Sequence, residues 1–301
     1  MDAFPTSLTP LDGGFSGETF LGQMVTEQVV VRIYGQRSLH RGPTAPEVDA
    51  AVLELVRGLL PVPRVLEVRA GSPKADLPGL LITTRLPGER LDLLLPDLSP
   101  KQVAAVGESL GVLLGRLGHM TQSRAGFFCD RSLVVSEPPR QARDLPAWVE
   151  HHEEQLGLEA EDLDGLREVA AAAQDLLDTE ESRFCLVHSD MNPKNVLVDP
   201  DTLEVSGLVD WEFCHAGSPY ADLGNLLRFD RSPMLVEAVL GAYRRFMPAA
   251  PVDLLDRARA SDLFALIDLA AREVANPITD LARDHLLAIA RRRDVHAAAD
   301  T

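Results

Sequence analysis

Short apolar runs separated by turn residues fill the first part of the chain. Three of these runs have the β-branched and leucine-rich composition of buried strands: residues 29–34, 62–68 and 79–84. Between the first two runs, apolar residues recur at helical spacing from Pro46 to Val56, and Gly58 follows them. This spacing predicts one amphipathic helix. We therefore expect the N-terminal part to be an antiparallel sheet with one main helix.

The pattern changes after Leu86-Pro87-Gly88, where a turn sequence interrupts the strands. We place a lobe boundary here, with residues 1–86 in the first lobe and residues 87–301 in the second. Helical spacing then recurs over residues of about 100–119, 145–158, 160–177, 232–247, 252–275 and 278–294. Residues 121–145 show no regular spacing and are expected to be irregular. These elements predict an α+β fold with a larger, mostly helical C-terminal lobe.

One polar turn in the second lobe carries the residue types of a catalytic site. Apolar runs enclose the sequence His188-Ser189-Asp190-Met191-Asn192-Pro193-Lys194-Asn195, and a further run ends at Asp210. Apolar runs bounded by turn residues predict short buried strands, so Asp190, Asn195 and Asp210 should lie on loops between rigid elements. Two carboxylates and an amide suit a site that takes a proton from a hydroxyl group and holds Mg²⁺ on a nucleotide.

The charge of the chain limits the classes of partner that it is expected to bind. The 301 residues carry a formal net charge of −17, which disfavours binding to nucleic acid. Residues 1–86 are nearly neutral, with 8 basic and 9 acidic side chains, so the acidic excess lies in the second lobe. Residues 148–181 hold twelve acidic side chains against Arg167 alone. They are either the solvated faces of two helices or an acidic wall that attracts a polycationic ligand.

The remaining composition favours a protein of the cytoplasm. Three widely spaced cysteines suggest neither a disulfide framework nor a zinc site. The N-terminus lacks the basic start and apolar core of a signal peptide. No apolar run approaches the ~18 residues that span a membrane, so we expect no membrane partner.

Weaker signals in the first lobe indicate a phosphate site. The glycine-rich stretch 13–17 contains Ser16 and Gly17, and such a stretch lets backbone N–H groups approach phosphate oxygens, although any tight β-turn uses the same residues. Arg32 interrupts an apolar strand, either as an outward-facing residue or as a cation for nucleotide phosphates. Glu47 is either a favourable charge in a first helical turn or the partner of Arg32.

Together, these motifs resemble the aminoglycoside phosphotransferase family, whose members are relatives of the protein kinases. The turn from His188 to Asn195 fits the kinase catalytic loop H-x-D-x-x-x-x-N, and Asp210-Trp211-Glu212 takes the place of the metal-binding D-F-G element. The resemblance extends through Asp222, covers most of the chain and implies a protein-kinase-like bilobal fold. Only eleven residues lie between Asp210 and Asp222. This short interval favours a small-molecule kinase over a protein kinase.

The resemblance also implies roles for individual residues. Asp190 would be the catalytic base that orients the acceptor hydroxyl, and Asn195 and Asp210 would hold Mg²⁺ against the phosphates of ATP or GTP. His188 and Asp222 would be structural supports of the catalytic loop. The nucleotide would contact residues of the first lobe and the hinge: Ser16, Gly17, Arg32, Glu47, Thr84 and Leu86.

The sequence thus predicts an ATP- or GTP-dependent O-phosphotransferase that modifies a cationic small molecule, such as an aminoglycoside or a similarly basic antibiotic, and so confers resistance. Acidic side chains would bind its ammonium groups, and the candidates are Glu150, Glu153, Glu154, Glu212, Asp268 and Glu273. One alternative is a metabolic kinase for choline, homoserine or a sugar. Another is a catalytically silent nucleotide-binding module. The acceptor, the nucleotide preference and the oligomeric state stay open.

Overall fold

The computed structural model describes residues 7–11, 18–24, 27–35, 38, 41–137, 143–179, 183–274 and 276–299. Within these ranges the strands form three antiparallel sheets, and most of the long helices lie in the C-terminal part. No helix in them is both long and apolar enough to cross a membrane.

The N-terminal sheet has five strands. They are β1 (Leu8–Pro10), β2 (Glu18–Gln23), β3 (Gln28–Tyr34), β4 (Val65–Arg69) and β5 (Gly79–Thr84). Their order in the sheet is β1-β2-β3-β5-β4. In β3, Val29 and Val31 face a small apolar cluster. Because side chains alternate along a strand, Arg32 and Tyr34 lie on the opposite face, toward the rest of the molecule.

The one long helix of the N-terminal part is α1 (Ala45–Val56), close to the helix predicted from the sequence. It packs against β4 and β5 and also contacts the turn at residues 211–213. Its buried residues Val48 and Val52 belong to the same apolar cluster as Leu110 and Leu223 of the C-terminal part. This shared core joins the N-terminal sheet to the region that carries the predicted catalytic residues.

Eight further helices follow among the described residues. They are α2 (Leu91–Leu94), α3 (Pro100–Gly118), α4 (Leu145–Leu156), α5 (Ala160–Asp178), α6 (Ala221–Leu226), α7 (Pro233–Phe246), α8 (Leu254–Ala271) and α9 (Pro277–Arg292). Gly107, Gly111 and Gly115 of α3 face α7, and a Cβ added to Gly107 would lie 2.8 Å from Ala238 Cβ. These glycines allow α3 and α7 to pack closely. Around α8, the helices α4, α5 and α9 form a second apolar core.

Two small sheets hold the loops of the C-terminal part. Their strands are β6 (Glu89–Arg90), β7 (Thr121–Gln122), β8 (Gly126–Phe128), β9 (Val135–Ser136), β10 (Phe184–Val187), β11 (Val196–Val198), β12 (Val205–Leu208) and β13 (His215–Gly217). One sheet has the order β7-β10-β13-β8-β9 and the other the order β12-β11-β6. The expectation that residues 121–145 are irregular is therefore wrong in part. Strands of two or three residues are too short to show a hydrophobic period.

The predicted hinge is bonded to the strand that follows the catalytic loop. In the β6–β11 pair, Glu89 lies opposite Val198. Ser206 Oγ donates a 2.9 Å hydrogen bond to Pro87 O. Gly88 has a φ of +107°, which residues with a side chain rarely adopt. The hinge backbone therefore depends on a glycine at this position.

Gly88→Ala is expected to lower the free energy of unfolding by about 2 to 4 kcal/mol. The added Cβ would collide with Ser206 Oγ and would lie 3.0 Å from Val198 O, in addition to the strain of the positive φ. Gly58→Ala is the matched control, because Gly58 has a φ of +92° with nothing within 4 Å of an added Cβ. This control should lose only about 1 kcal/mol. Urea denaturation measures both, and equal losses would show that close packing at the hinge is unimportant.

Candidate active site

The loop that follows β10 is anchored by the buried carboxylate of Asp222. Asp222 lies in the first turn of α6, and its two oxygens accept 2.8 Å hydrogen bonds from the backbone N–H groups of His188 and Ser189. Burial raises the pKa of Asp222, whereas His188 and the two N–H groups act in the opposite direction. Ser189 has a φ of +67°. The carboxylate thus holds an uncommon backbone turn directly before Asp190.

His188 connects this loop to the Asp210 segment. It is completely buried, its Nε2 lies 3.0 Å from Val209 O, and its Nδ1 accepts a 3.3 Å hydrogen bond from the backbone N–H of Asp190. Because Nδ1 accepts, Nε2 carries the proton and donates to Val209 O. The ring also packs edge-on against Trp211, with 4.6 Å between the centroids. Both ring nitrogens are engaged with backbone groups, which is the geometry of a structural support.

The Asp190 carboxylate is oriented by two amides of its own loop. Asn192 Nδ2 donates to Oδ1 at 2.6 Å, and Asn195 Nδ2 donates to Oδ2 at 2.7 Å. Lys194 Nζ lies 3.9 Å from Oδ2, and the Asp190 side chain is 22% exposed. The carboxylate is therefore fixed in direction and still reachable by a ligand.

Asn192 is a site residue that the sequence reasoning missed. Besides contacting Asp190, its side chain accepts a 3.2 Å hydrogen bond from Lys194 N and so begins the short helical turn Pro193–Asn195. The available signal was an asparagine directly before a proline, which is a favoured position for capping a helical turn.

Asp210 lies beside the same loop because β11 and β12 pair with each other. The backbone N–H of Val209 donates to Asn195 O at 3.0 Å. Asp210 itself has a φ of 64° and a ψ of 60°, directly before the helical turn Trp211–Phe213. A left-handed conformation at a residue with a side chain is uncommon, and it indicates that the surrounding structure constrains this carboxylate.

Arg32 brings positive charge from the N-terminal sheet to Asp210. Its Nη1 lies 2.6 Å from Asp210 Oδ1, and its Nη2 pairs with Glu212. Burial alone would lower the pKa of Arg32, but Asp210, Tyr34 and Glu212 raise it well above its ordinary value. The guanidinium therefore stays charged at the meeting point of the sheet and the loop.

Of the two interpretations of Glu47, the pairing with Arg32 is wrong. Glu47 lies in the first turn of α1, and among the described ion pairs Arg32 contacts Asp210 and Glu212 instead. The same contacts place Glu212, predicted as an acceptor ligand, in the buried cluster around Arg32. The loop after β12 carries two acidic residues close to the strand, and they reach Arg32 where the α1 residue does not.

The buried carboxylate of α1 is Asp49. It accepts a 2.6 Å hydrogen bond from Tyr34 Oη and a 2.9 Å hydrogen bond from Arg41 Nη1. Arg32 Cζ lies 5.4 Å from the centroid of the Tyr34 ring, so this group supports Arg32 from behind. Asp49 sits within the apolar stripe of α1, next to Val48, and a carboxylate in such a stripe was the signal for it.

The other predicted nucleotide contacts lie at the hinge or outside the described residues. Thr84 closes β5, and its Oγ1 accepts a 3.0 Å hydrogen bond from Arg64 N. Leu86 packs beside Gly207 of β12, where a Cβ added to the glycine would lie 2.9 Å from Leu86 Cδ1. Ser16 and Gly17 are outside the described residues.

The remaining acceptor candidates lie on or near two helices that pack together, α4 and α8. Glu150 and Glu154 are exposed on α4, and Glu273 is exposed just after α8. Glu153 is engaged by Arg167 at 2.8 Å, and Asp268 is engaged by Arg272 at the same distance. Two of these five carboxylates therefore already have arginine partners.

The donor atoms of the loop suit Mg²⁺. Asn195 uses its NH₂ group for Asp190, so its carbonyl oxygen is the atom that remains for a metal, and Asp210 supplies a carboxylate. Mg²⁺ prefers oxygen ligands and commonly takes one or two from the protein, with nucleotide phosphates and water completing the shell. No group of three or more His, Cys, Asp or Glu side chains in the described ranges is arranged to hold a metal ion.

Comparison with known proteins gives a family and a fold. A family model described as "Phosphotransferase enzyme family" matches residues 7–260. The structure of aminoglycoside phosphotransferase APH(4)-Ia is similar, with a TM-score of 0.68, 19% identity, and coverage of 97% of this chain and 95% of that chain. ADP-bound APH(2'')-Ib gives a TM-score of 0.63 at 19% identity, covering 97% and 94%. The α+β, kinase-like fold predicted from the sequence is confirmed.

The related sequences match shorter parts of this chain than the solved structures do. Aminoglycoside 3'-phosphotransferase of Streptomyces ribosidificus is 29% identical over 197 residues, and streptomycin 3''-kinase of Streptomyces griseus is 30% identical over 193 residues. Each match covers 60% of this chain and 66% of the relative. Acyl-CoA dehydrogenase family member 10 of Mus musculus is 25% identical over 221 residues, which are 73% of this chain and 20% of that protein. The chain thus spans less than two thirds of the length of each.

Asp222→Asn is expected to lower the free energy of unfolding by about 1 to 3 kcal/mol. An amide can accept from only one of the two backbone N–H groups and would turn its own NH₂ toward the other. Asp175→Asn, on the exposed face of α5, is the control and should change stability by less than about 0.5 kcal/mol. Amide hydrogen exchange at His188 and Ser189 should become faster in Asp222→Asn alone. Unchanged exchange at both residues would contradict the anchoring role.

Proposed function

Because the chain belongs to the phosphotransferase enzyme family, we propose that it transfers the γ-phosphate of ATP or GTP to a hydroxyl group of a cationic small molecule. The family resemblance drawn from the catalytic-loop sequence is confirmed by the family match. An aminoglycoside or another basic antibiotic is the acceptor class that we favour, with resistance by modification as the consequence. The names of the two streptomycete relatives support this class.

One arrangement carries the proposal: a carboxylate that is fixed in direction and still accessible, next to a second loop that offers a metal-binding carboxylate. Asp190 is held by Asn192 and Asn195, and Asn195 is bonded in turn to the segment that ends in Asp210. Phosphoryl transfer needs mainly positioning and charge neutralisation, so a few rigidly held groups are sufficient.

In the proposed reaction, the acceptor hydroxyl donates a hydrogen bond to Asp190, and its oxygen attacks the γ-phosphorus in line with the leaving group. The new P–O bond forms as the bond between the γ-phosphorus and the β,γ-bridging oxygen breaks. ADP or GDP leaves with that oxygen, and the hydroxyl proton passes to Asp190. A bound Mg²⁺, held by Asn195 and Asp210, would supply charge neutralisation to the phosphate oxygens.

Arg32 gives the nucleotide a second source of positive charge. In this structure its guanidinium is engaged with Asp210 and Glu212. Arg32 would bind nucleotide phosphates with one side of its guanidinium and leave the Asp210 carboxylate free to hold the metal, while Glu212 would keep the other side in place. The fork of N–H donors in arginine allows this division, which a lysine ammonium would not reproduce.

The acidic side chains of α4 and α8 support a cationic acceptor. Exposed carboxylates there, such as Glu150 and Glu154, add to the strong negative charge of the C-terminal part. Such negative charge would attract a molecule with several ammonium groups and raise its rate of encounter. The positions of the ammonium groups on the acceptor would decide which of these carboxylates bind it, because surface carboxylates can exchange one partner for another.

A coupled ADP- and GDP-release screen tests the function, with aminoglycosides, macrolides, cyclic peptide antibiotics, choline and sugars as acceptors and with both nucleotides. We expect turnover with a basic antibiotic. Asp190→Ala should lower that turnover by about two to four orders of magnitude while nucleotide binding is retained. The control is Asp175→Asn, which should keep full activity.

Three outcomes of the screen would contradict the proposal. Turnover with choline or a sugar and none with basic antibiotics would identify a metabolic kinase. Nucleotide binding without turnover on any acceptor would indicate a silent module. Near-normal turnover by Asp190→Ala would refute the assignment of the base.

Asp210→Asn tests the metal role of the second loop. The amide removes a negative ligand, so nucleotide binding measured by calorimetry should lose most of its Mg²⁺ dependence. Binding without Mg²⁺ should weaken far less, because Arg32 and the rest of the pocket remain. The exposed Asp201→Asn is the matched control. An unchanged Mg²⁺ dependence in Asp210→Asn would show that the metal is held elsewhere.

A further inference from the structure

A cleft in the C-terminal part is lined by several arginines that have no role in the proposed reaction. It lies beside α7 and the start of α8 and has a volume of about 470 Å³. Three arginines line it, Arg231, Arg244 and Arg259, and Glu237 is the single acidic residue among its lining residues. None of the predicted catalytic or metal-binding residues lines it. Such a surplus of positive charge is unusual in a chain with a net charge of −17.

The described hydrogen bonds of the three arginines go to backbone carbonyl oxygens and to histidine ring nitrogens. Arg231 Nη1 donates to the carbonyl oxygens of His296 at 2.6 Å and Ala297 at 2.9 Å. Arg244 Nη2 donates to Val252 O at 3.2 Å, and Arg259 Nη1 contacts His296 Nδ1. Within the part of the chain that the structure describes, none of the three forms an ion pair with a carboxylate.

Aspartates near the cleft oppose this charge, Asp262 and Asp294 at Arg231 and Asp294 and Asp256 at Arg259, but none of them forms a described ion pair with either arginine. Burial lowers the pKa of His285 to about 4, and repulsion from Arg231 and Arg259 adds to the effect, so this histidine is neutral at neutral pH. It accepts a hydrogen bond from Arg231. Asp256 Oδ1 lies 2.8 Å from His296 Nε2 and is thus engaged with the histidine.

The arginines repel one another. Burial lowers the pKa of Arg231 to about 10, and repulsion from Arg259 acts in the same direction, whereas Asp262 and Asp294 act against both. Burial also lowers the pKa of Arg259, although Asp294 and Asp256 act against it. In addition, Arg259 Nε is buried without a hydrogen-bond partner among the described atoms. A ligand with several anionic oxygens would relieve the repulsion between the arginines.

We infer that this cleft binds a small molecule that carries a phosphate group on a compact apolar body. The paired N–H donors of arginine match phosphate oxygens, and a phosphate monoester carries between one and two negative charges, which suits three arginines opposed by Glu237. Pro233 places the start of α7 at the cleft, where backbone N–H groups add positive potential. Val236 and Leu240, which also line the cleft, provide an apolar wall.

Calorimetric titration with phenyl phosphate at constant ionic strength tests this inference. Arg244→Gln should weaken binding by about tenfold or more, because a charged donor is lost from the cleft. Arg245→Gln is the matched control, since it removes the same charge from the next residue of α7, which pairs with Glu108 at 3.4 Å and does not line the cleft. It should change the affinity by less than about twofold. Glu237→Gln should strengthen binding, because the opposing charge disappears.

The opposite effects expected of Arg244→Gln and Glu237→Gln keep the test independent of folding defects. Inorganic phosphate should bind more weakly than phenyl phosphate, and benzyl alcohol should not bind. No saturable binding of phenyl phosphate, or equal losses in Arg244→Gln and Arg245→Gln, would overturn the inference. Binding that ADP displaces and that Arg244→Gln leaves unchanged would place the phosphate at the nucleotide site instead, and would overturn it as well.

Discussion

A buried carboxylate needs hydrogen-bond donors, and the way in which Asp222 obtains them determines the candidate active site. Its two donors are the backbone N–H groups of His188 and Ser189. Because these bonds fix the backbone, the side chains that follow are free for chemistry. His188 carries the same constraint to Val209, directly before Asp210. One buried group thus helps to fix the position of Asp190, the predicted base, relative to Asp210, the predicted metal ligand.

The second constraint is electrostatic and joins the two ends of the site. The Arg32 side chain extends from the N-terminal sheet to a position between Asp210 and Glu212. The ring of Tyr34 lies against its guanidinium. Removing one partner from such a partly buried group is costly, because the remaining charge is left without compensation. A phosphate ligand can replace a carboxylate in this group without creating an unpaired charge. The same physical rule is the basis for proposing an anion site in the cleft that Arg231 and Arg259 line.

The sequence was sufficient for features that depend on repetition or fixed spacing. Each long helix has an apolar stripe of several turns, so α3 was predicted at about 100–119 and lies at Pro100–Gly118. The catalytic loop could be predicted because its polar residues follow one another in the chain. Contacts between distant segments could not. The apolar stripe of α1 can indicate that Asp49 is buried, but not that its partners are Tyr34 and Arg41. The acidic helices show the same limit, because Glu153 and Glu154 are both exposed neighbours and only Glu153 is among the described ion pairs, with Arg167.

In the proposed reaction, Asp190 orients an acceptor hydroxyl for attack on the γ-phosphate. ³¹P NMR of a reaction containing nucleotide, Mg²⁺ and the acceptor measures this transfer directly. We expect a phosphomonoester signal of the acceptor to grow as the γ-phosphate signal of the nucleotide declines. The signal should be absent with Asp190→Ala under conditions in which that variant still binds nucleotide. Release of inorganic phosphate alone, or the same phosphomonoester formed at a normal rate by Asp190→Ala, would contradict the account.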